Sequence, residues 1–231
     1  MASKYSVFDH DPEEERKKDP QGPPLGNLFA AARYLNLLFS ANGVRWAAMG
    51  GFAMICRGSR RTTRDVDIVT DTIPKTLWTI IEAQPRLIIP NTRLLDGVIK
   101  IFVLTGPSYQ DRECIIDRPV EADLVIPGAK GTPVLLAPHI VTLHVTVGGQ
   151  TQGFYCLNTL YMMRTKLRHC ATRTMDRDVI DLKFMLDTFR DEVVAIRNQL
   201  DDGDIEAFLD RDYIKELGDA WRTYYRSLLC G

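Results

Sequence analysis

Apolar residues recur at helical spacing from Leu28 to Phe39, and Gly43 supplies a stop just beyond them. A short apolar run, Val44 to Met49, reads as a first strand that ends in Gly50-Gly51. Phe52 to Ile55 then reads as a short helix, and the alternating segment Asp65-Val66-Asp67-Ile68-Val69 as a strand. Pro74 opens a helix over Lys75 to Ala83, and strands are predicted at Leu87 to Ile89 and Val98 to Leu104 around an Asp96-Gly97 turn. Leu124 to Ile126 forms the apolar part of a further strand. Ile140 to Val147 alternates and meets Phe154 to Leu157 across Gly148-Gly149-Gln150, a hairpin signal. From Asn158 onward the pattern is helical, with helices predicted at about 158 to 170, 176 to 190, 191 to 200 and 204 to 228. No internal repeat is visible. The pattern predicts an α+β fold with a mixed sheet flanked by helices over residues 27–157, followed by a helical part over residues 158–231. Residues 1–26 are polar, end in Pro20-Gln21-Gly22-Pro23-Pro24, and read as a flexible arm.

Composition narrows the class only a little. The chain has 231 residues, 45% hydrophobic and 26% charged, enough for one good core or for a compact domain with a helical appendage. No run of about 18 apolar residues predicts a membrane span, and the first residues lack the apolar stretch of a secretory signal. The expectation is a cytoplasmic protein with no membrane partner. Five scattered cysteines form no C-x-x-C pair and no zinc pattern with the four histidines, so reduced thiols are expected. A net charge of −1 argues against coating nucleic acid by bulk electrostatics. Local clusters differ: Arg57, Arg60, Arg61 and Arg64 crowd one loop, and Arg164, Lys166, Arg168, Arg173 and Arg177 follow in the helical part. Facing one cleft, they would suit a triphosphate. Splayed outward, they are balanced by the acidic stretch from Asp201 to Asp219.

The chemistry concentrates between Gly50 and Ile68. A strand of period two puts Asp65 and Asp67 on one face and Val66 and Ile68 on the other. Two carboxylates about 5 Å apart repel by roughly 3 kcal/mol at an effective dielectric near 20, so the pair is expected to recruit a cation or shift one pKa. A hard, oxygen-loving ion such as Mg²⁺ relieves that repulsion. Gly50 and Gly51, lacking Cβ, would let backbone N–H groups approach phosphate oxygens. Each element has a plain structural reading as well: an acidic strand edge and an ordinary turn.

The order of these elements, a strand ending in Gly-Gly, a helix, an arginine-rich loop and then Asp65-x-Asp67, resembles the nucleotidyltransferase superfamily with the DNA polymerase β type of fold. The resemblance spans roughly residues 45 to 185. It implies a third acid on a later strand, for which Val120-Glu121-Ala122-Asp123-Leu124 offers Asp123, with Glu121 of the same parity as the fallback. It further implies Mg²⁺ (or Mn²⁺) at Asp65, Asp67 and Asp123, in-line attack on the α-phosphate of an NTP, and release of pyrophosphate.

The run from Leu160 through Lys166 and Arg173 to Asp178 and Asp181 resembles that of AbiEii-like toxin and antibiotic nucleotidyltransferases. By that likeness Lys166 meets the triphosphate, and Asp178 contributes to the site. Leu160, Met163, Leu167 and Cys170 form the apolar stripe of this helix, with Lys166 off it. The alternative for Asp178 and Asp181 is a salt-bridged helix face. Arg64 either binds the nucleotide or neutralises the acid pair. The acceptor implied is a small molecule ahead of an RNA end or a protein. A repurposed scaffold that binds a ligand, or works without nucleotide, is the competing reading.

Overall fold

The computed structural model describes residues 1–93 and 97–231, and of Pro12 the backbone alone. The Asp96-Gly97 turn predicted above therefore lies partly outside the described residues. The chain is α+β and divides into two compact units, one of residues 1–129 and 134–156, the other of residues 130–133 and 157–231.

In the first unit the elements run β1 (Ser3–Tyr5), α1 (Pro12–Lys18), α2 (Leu25–Ala41), β2 (Trp46–Ala48), α3 (Gly50–Cys56), β3 (Asp65–Thr70), α4 (Pro74–Glu82), β4 (Leu87–Pro90), β5 (Val98–Thr105), β6 (Arg118–Val125), β7 (Ile140–Val147) and β8 (Gln150–Leu157). Among the described residues the strands form one mixed sheet in the order β1-β4-β5-β6-β3-β2-β8-β7. β3 and β6 pair in parallel, while β5 runs antiparallel to β6 and β2 antiparallel to β3.

One face of the central strands is built for burial. Val66 and Ile68 on β3, Ile99, Ile101 and Val103 on β5, and Val120, Ala122 and Leu124 on β6 are all buried. Helix α2 covers this face, packing on β3, β5 and β6. Its inward residues include Phe29, Ala32, Leu35 and Phe39. Asn27 sits among them, donating from Nδ2 to Thr105 Oγ1 at 2.8 Å and to the Ile116 carbonyl at 3.0 Å, so its amide nitrogen is paired, while its buried Oδ1 accepts no hydrogen bond. Phe29, Phe52 and Phe154 meet ring to ring with centroids 5.1 to 5.5 Å apart, locking α2, α3 and β8 together. The opposite face carries Asp65, Asp67, Lys100, Phe102, Glu121 and Asp123, all of intermediate exposure.

The segment read from the sequence as an arm carries β1 and α1 instead. Ser3 to Tyr5 pair in parallel with Ile88 to Pro90, at the edge of the sheet. Asp11 caps α1 by accepting from the Glu13 and Glu14 amides.

The second unit is helical: α5 (Thr159–Thr172), α6 (Asp176–Thr188), α7 (Arg190–Ile196), α8 (Asp202–Leu209), α9 (Asp212–Glu216) and α10 (Asp219–Leu229). Asn158 and Asp201 cap α5 and α8 with their side chains. The single helix predicted over 204 to 228 is three helices. Turns at Asp210-Arg211 and at Gly218, where φ is +94°, break it and let Ile205, Phe208, Ile214, Tyr225 and Leu228 all turn inward.

Phe52→Ala removes one of the three interlocked rings. We expect it to lower the unfolding free energy by about 3–5 kcal/mol in urea melts, and a loss below about 1 kcal/mol would show that the cluster is not what couples the helices to the sheet.

Candidate functional site

The parallel register sets Asp65 beside Glu121 and Asp67 beside Asp123, so the sheet carries four carboxylates in a two-by-two array on its open face. β5 adds Lys100 directly across from Asp123, with Phe102 across from Glu121. The Lys100 ammonium forms an ion pair with Glu121 and stands 3.1 Å from Asp123 Oδ1. Its angle leaves that oxygen, which is buried, without a hydrogen bond. Asp65 Oδ1 accepts from Thr63 Oγ1 at 2.8 Å, which orients the carboxylate at the entrance of the strand.

Gly50 brings the turn against these acids. Its φ is +60°, and a Cβ there would stand 2.0 Å from Asp67 Oδ2. The Met49 amide also donates to the Asp67 carbonyl at 2.9 Å, tying the end of the turn to β3. A Cβ on Gly51 would stand 2.4 Å from Thr63 Oγ1 and 3.1 Å from Arg61 Nη2. Both glycines are therefore required by close approach, and the turn, Thr63 and the acid strand form one contiguous structure with a guanidinium beside it.

The first residues of the chain wall this face. Tyr5 donates from its hydroxyl to the Lys100 carbonyl at 3.1 Å, and Tyr5, His10 and Phe102 contact one another edge to face. Burial, with the Asp123 charge second, pushes the Tyr5 phenol up to about 12. Burial and then the Lys100 charge lower the His10 pKa, with Glu15 and Asp11 acting in the opposite sense.

Arg64 turns away from the acids. It donates to the Pro20 carbonyl at 3.2 Å and pairs with Asp19 at 3.4 Å, and Asp19 also pairs with Arg118. Adjacent residues on an extended chain point apart, so sequence proximity to Asp65 does not bring the guanidinium to it.

Lys166 and Asp178 lie in the helical unit. Lys166 is 3% exposed, off the stripe by spacing yet buried, because its ammonium reaches Asp178 at 3.1 Å and Asp181 at 2.6 Å on α6. Arg173 adds bonds of 2.7 and 3.0 Å to Asp178. Burial works against the Asp178 charge. The nearby His169 ring, 3.7 Å away, and the Arg173 hydrogen bonds, with the Lys166 and Arg173 charges, outweigh it and hold the carboxyl far below the usual carboxylate range. The His169 ring is itself lowered by burial, against the pull of Asp178.

Three features of the site were not read from the sequence: Lys100, the Tyr5 wall and the Thr63 contact. Lys100 has a visible local signal, as the polar member of the alternation Val98-Ile99-Lys100-Ile101-Phe102. Its placement opposite Asp123 is a matter of strand pairing.

Among the described residues, no three His, Cys, Asp or Glu side chains converge closely enough to hold a metal ion. The donor set nonetheless suits a hard divalent cation, being all carboxylate oxygen, and the buried Asp123 Oδ1 accepts no hydrogen bond. Asp65, Asp67 and Asp123 are the residues that could hold it, with Glu121 beside them.

No protein-family model matches the chain, and none of the curated proteins matches its sequence. Among solved structures it is similar to an antigenic nucleotidyltransferase-like protein from Paracoccidioides brasiliensis, at 16% identity and a TM-score of 0.46 over 70% of this chain and 76% of that one. It is also similar to JHP933 from Helicobacter pylori, at 15% identity and a TM-score of 0.42 over 86% of this chain and 88% of that one. Among the described residues, no helix is long and apolar enough to cross a membrane.

Two outcomes follow from this geometry. Gly50→Ala should destabilise the protein by at least about 1 kcal/mol more than Gly43→Ala, because both positions have positive φ but only Gly50 has a carboxylate in the way. Equal losses in paired denaturant melts would show that backbone strain alone matters. Asp178→Asn should cost about 3–5 kcal/mol at neutral pH by leaving Lys166 and Arg173 short of a buried partner. Because the folded pKa of Asp178 is depressed, its contribution is present above the ordinary value of 3.8 and is lost as pH falls below it. The variant's stability should therefore decline less steeply below about pH 4, and parallel acid limbs in pH-dependent melts would contradict this account.

Proposed function

We propose that this protein is a divalent-metal-dependent nucleotidyltransferase that moves a nucleoside monophosphate from an NTP to an acceptor hydroxyl or phosphate. The observation that carries the reading is the register of β3 and β6, which aligns Asp67 with Asp123 on the face that the Gly50 turn abuts. A paired-acid strand next to a turn stripped of Cβ atoms suits a ligand that brings both phosphate oxygens and a cation.

In this reading Asp65 and Asp67 hold Mg²⁺ (or Mn²⁺), and Asp123 completes the set and takes the acceptor proton. The metal, when bound, would neutralise charge on the phosphates and on the departing pyrophosphate. Thr63 keeps Asp65 in its rotamer. Gly50 and Gly51 give phosphate oxygens access to backbone N–H groups, and Arg61, whose guanidinium lies beside Gly51, adds positive charge at the same turn. Arg64, engaged by Asp19 and the Pro20 carbonyl, is left out of the nucleotide contacts. We assign Lys166 and Asp178 to the internal ion network of the helical unit, since each already has charged partners within hydrogen-bond distance. A small-molecule acceptor is favoured over an RNA end or a protein, because a net charge of −1 gives no bulk attraction for a polyanion.

The test is a calorimetric titration with each of the four NTPs, with and without Mg²⁺, on the wild type and on Asp65→Ala/Asp67→Ala. At least one NTP should bind in a Mg²⁺-dependent manner, and the double variant should weaken it by at least about tenfold, the scale of one lost ion contact. Failure of every NTP to bind, or undiminished binding in the variant, would favour the scaffold reading, in which the acids serve another ligand.

A further inference from the structure

Cross-strand Lys–Glu pairs on an open sheet face are common and weak, and most do no more than balance charge. Lys100 departs from that pattern in three respects. It contacts two carboxylates, those of Glu121 and Asp123, rather than one. Its side chain is only 28% exposed and that of Asp123 only 15%, so the contact is poorly screened by water. The Asp123 oxygen it approaches is buried and still lacks a hydrogen bond, so the ammonium supplies charge there without directional bonding.

We infer that Lys100 is a built-in cation of the acid face, a positioning residue that competes with a divalent metal for Asp123 and Glu121 and so sets the metal affinity of the site. The inference rests on the metal-binding part of the reading proposed above.

The competition follows from charge counting. Four carboxylates share the face, and a cation among them relieves their mutual repulsion. The ammonium provides one positive charge on a tether, available without any ion from solution. A divalent ion brings twice the charge and can draw on several oxygens at once, but it must first displace or push aside Lys100 to use Asp123. The Tyr5 hydroxyl, bonded to the Lys100 carbonyl, and the Phe102 ring next to it hold this stretch of β5 in place. Binding of nucleotide with its metal would then be coupled to release of the lysine, which can turn to a phosphate oxygen.

The experiment is a Mn²⁺ titration without nucleotide, read by the loss of the free-ion electron paramagnetic resonance signal. The variants are Lys100→Met, Lys100→Gln, Lys100→Arg and the double variant Lys100→Met/Asp123→Asn, each checked for a cooperative thermal transition. Lys100→Met should tighten Mn²⁺ binding by about tenfold or more, the effect of removing one nearby like charge. Lys100→Arg should stay close to the wild type, since it restores the charge. Adding Asp123→Asn should cancel the gain. Should Lys100→Met fail to fold, Lys100→Gln carries the same expectation.

Neutral variants that bind Mn²⁺ no tighter than the wild type would overturn the inference, as would a gain that survives Asp123→Asn. A tenfold gain together with no NTP binding would remove the nucleotide reading and leave the role of Lys100 standing. Mg²⁺-dependent NTP binding with no gain would do the reverse.

Discussion

Everything at the candidate site depends on the parallel pairing of β3 with β6. Side chains alternate on a strand, so this one register fixes both faces at once. Val66 and Ile68 meet Ala122 and Leu124 under α2, and as a consequence Asp67 meets Asp123 on the other side. A slip of one residue would drive two carboxylates of β3 into the packed layer beneath the helix. The cost of burying an unpaired charge there far exceeds any plausible gain in packing. The apolar halves of these strands therefore position the acids, and the acids contribute little to holding themselves in place. The same logic places Lys100, whose neighbours Ile99 and Ile101 are fixed in the core.

The protein contains two clusters of like-charged acids and resolves their repulsion in different ways. In the helical unit Asp178 and Asp181 are almost wholly buried, and Lys166, Arg173 and His169 surround them. That network resembles an internal strut, since opening it would strand buried charge. On the sheet the acids are partly exposed, and at Asp123 the available cation is near an oxygen without satisfying it. A group that is desolvated but underbonded gains from an incoming ligand; a group that is desolvated and fully bonded does not. This contrast separates the two clusters more sharply than their shared acidity does, and it is why Asp123 stays in the proposed site while Asp178 leaves it.

The division between what was legible in the sequence and what was not follows the range of the interactions. The Gly50 turn and the parity of Asp65 and Asp67 rest on local period and backbone sterics, and both are found where the pattern put them. The strand bearing Asp123, expected from the resemblance with its apolar part over Leu124 to Ile126, instead runs from Arg118 to Val125, so Asp123 lies near its end. The α+β architecture and the hairpin of β7 and β8 were readable for the same reason. Pairing partners were not. β1 has three residues and its mate β4 lies more than eighty positions away, so its polar surroundings looked like a flexible arm. Lys166 falls off the apolar stripe by helical spacing, but a long side chain can be buried wherever another helix supplies acids, and α6 does. Arg64 looked like a partner of Asp65 by adjacency and instead reaches Asp19. The three-way break of the last predicted helix turned on where its apolar residues had to face, which propensity alone does not specify.

The edge strand also bears on how strongly the acid face can act. Tyr5 and His10 are far from the acids in sequence, yet with Phe102 they form an aromatic wall beside Lys100 and Asp123. The wall displaces water, and lower local polarity strengthens every charge interaction it encloses. The elevated Tyr5 phenol pKa is the reciprocal sign of this: burial and the nearby Asp123 charge both disfavour a tyrosinate. A carboxylate walled in this way attracts a cation more strongly than one open to solvent, whether that cation is Lys100 or a metal. The outermost strand of the sheet, which pairs with β4 and touches none of the acid-bearing strands through its ladder, thereby tunes the electrostatics at Asp123, three strands further in.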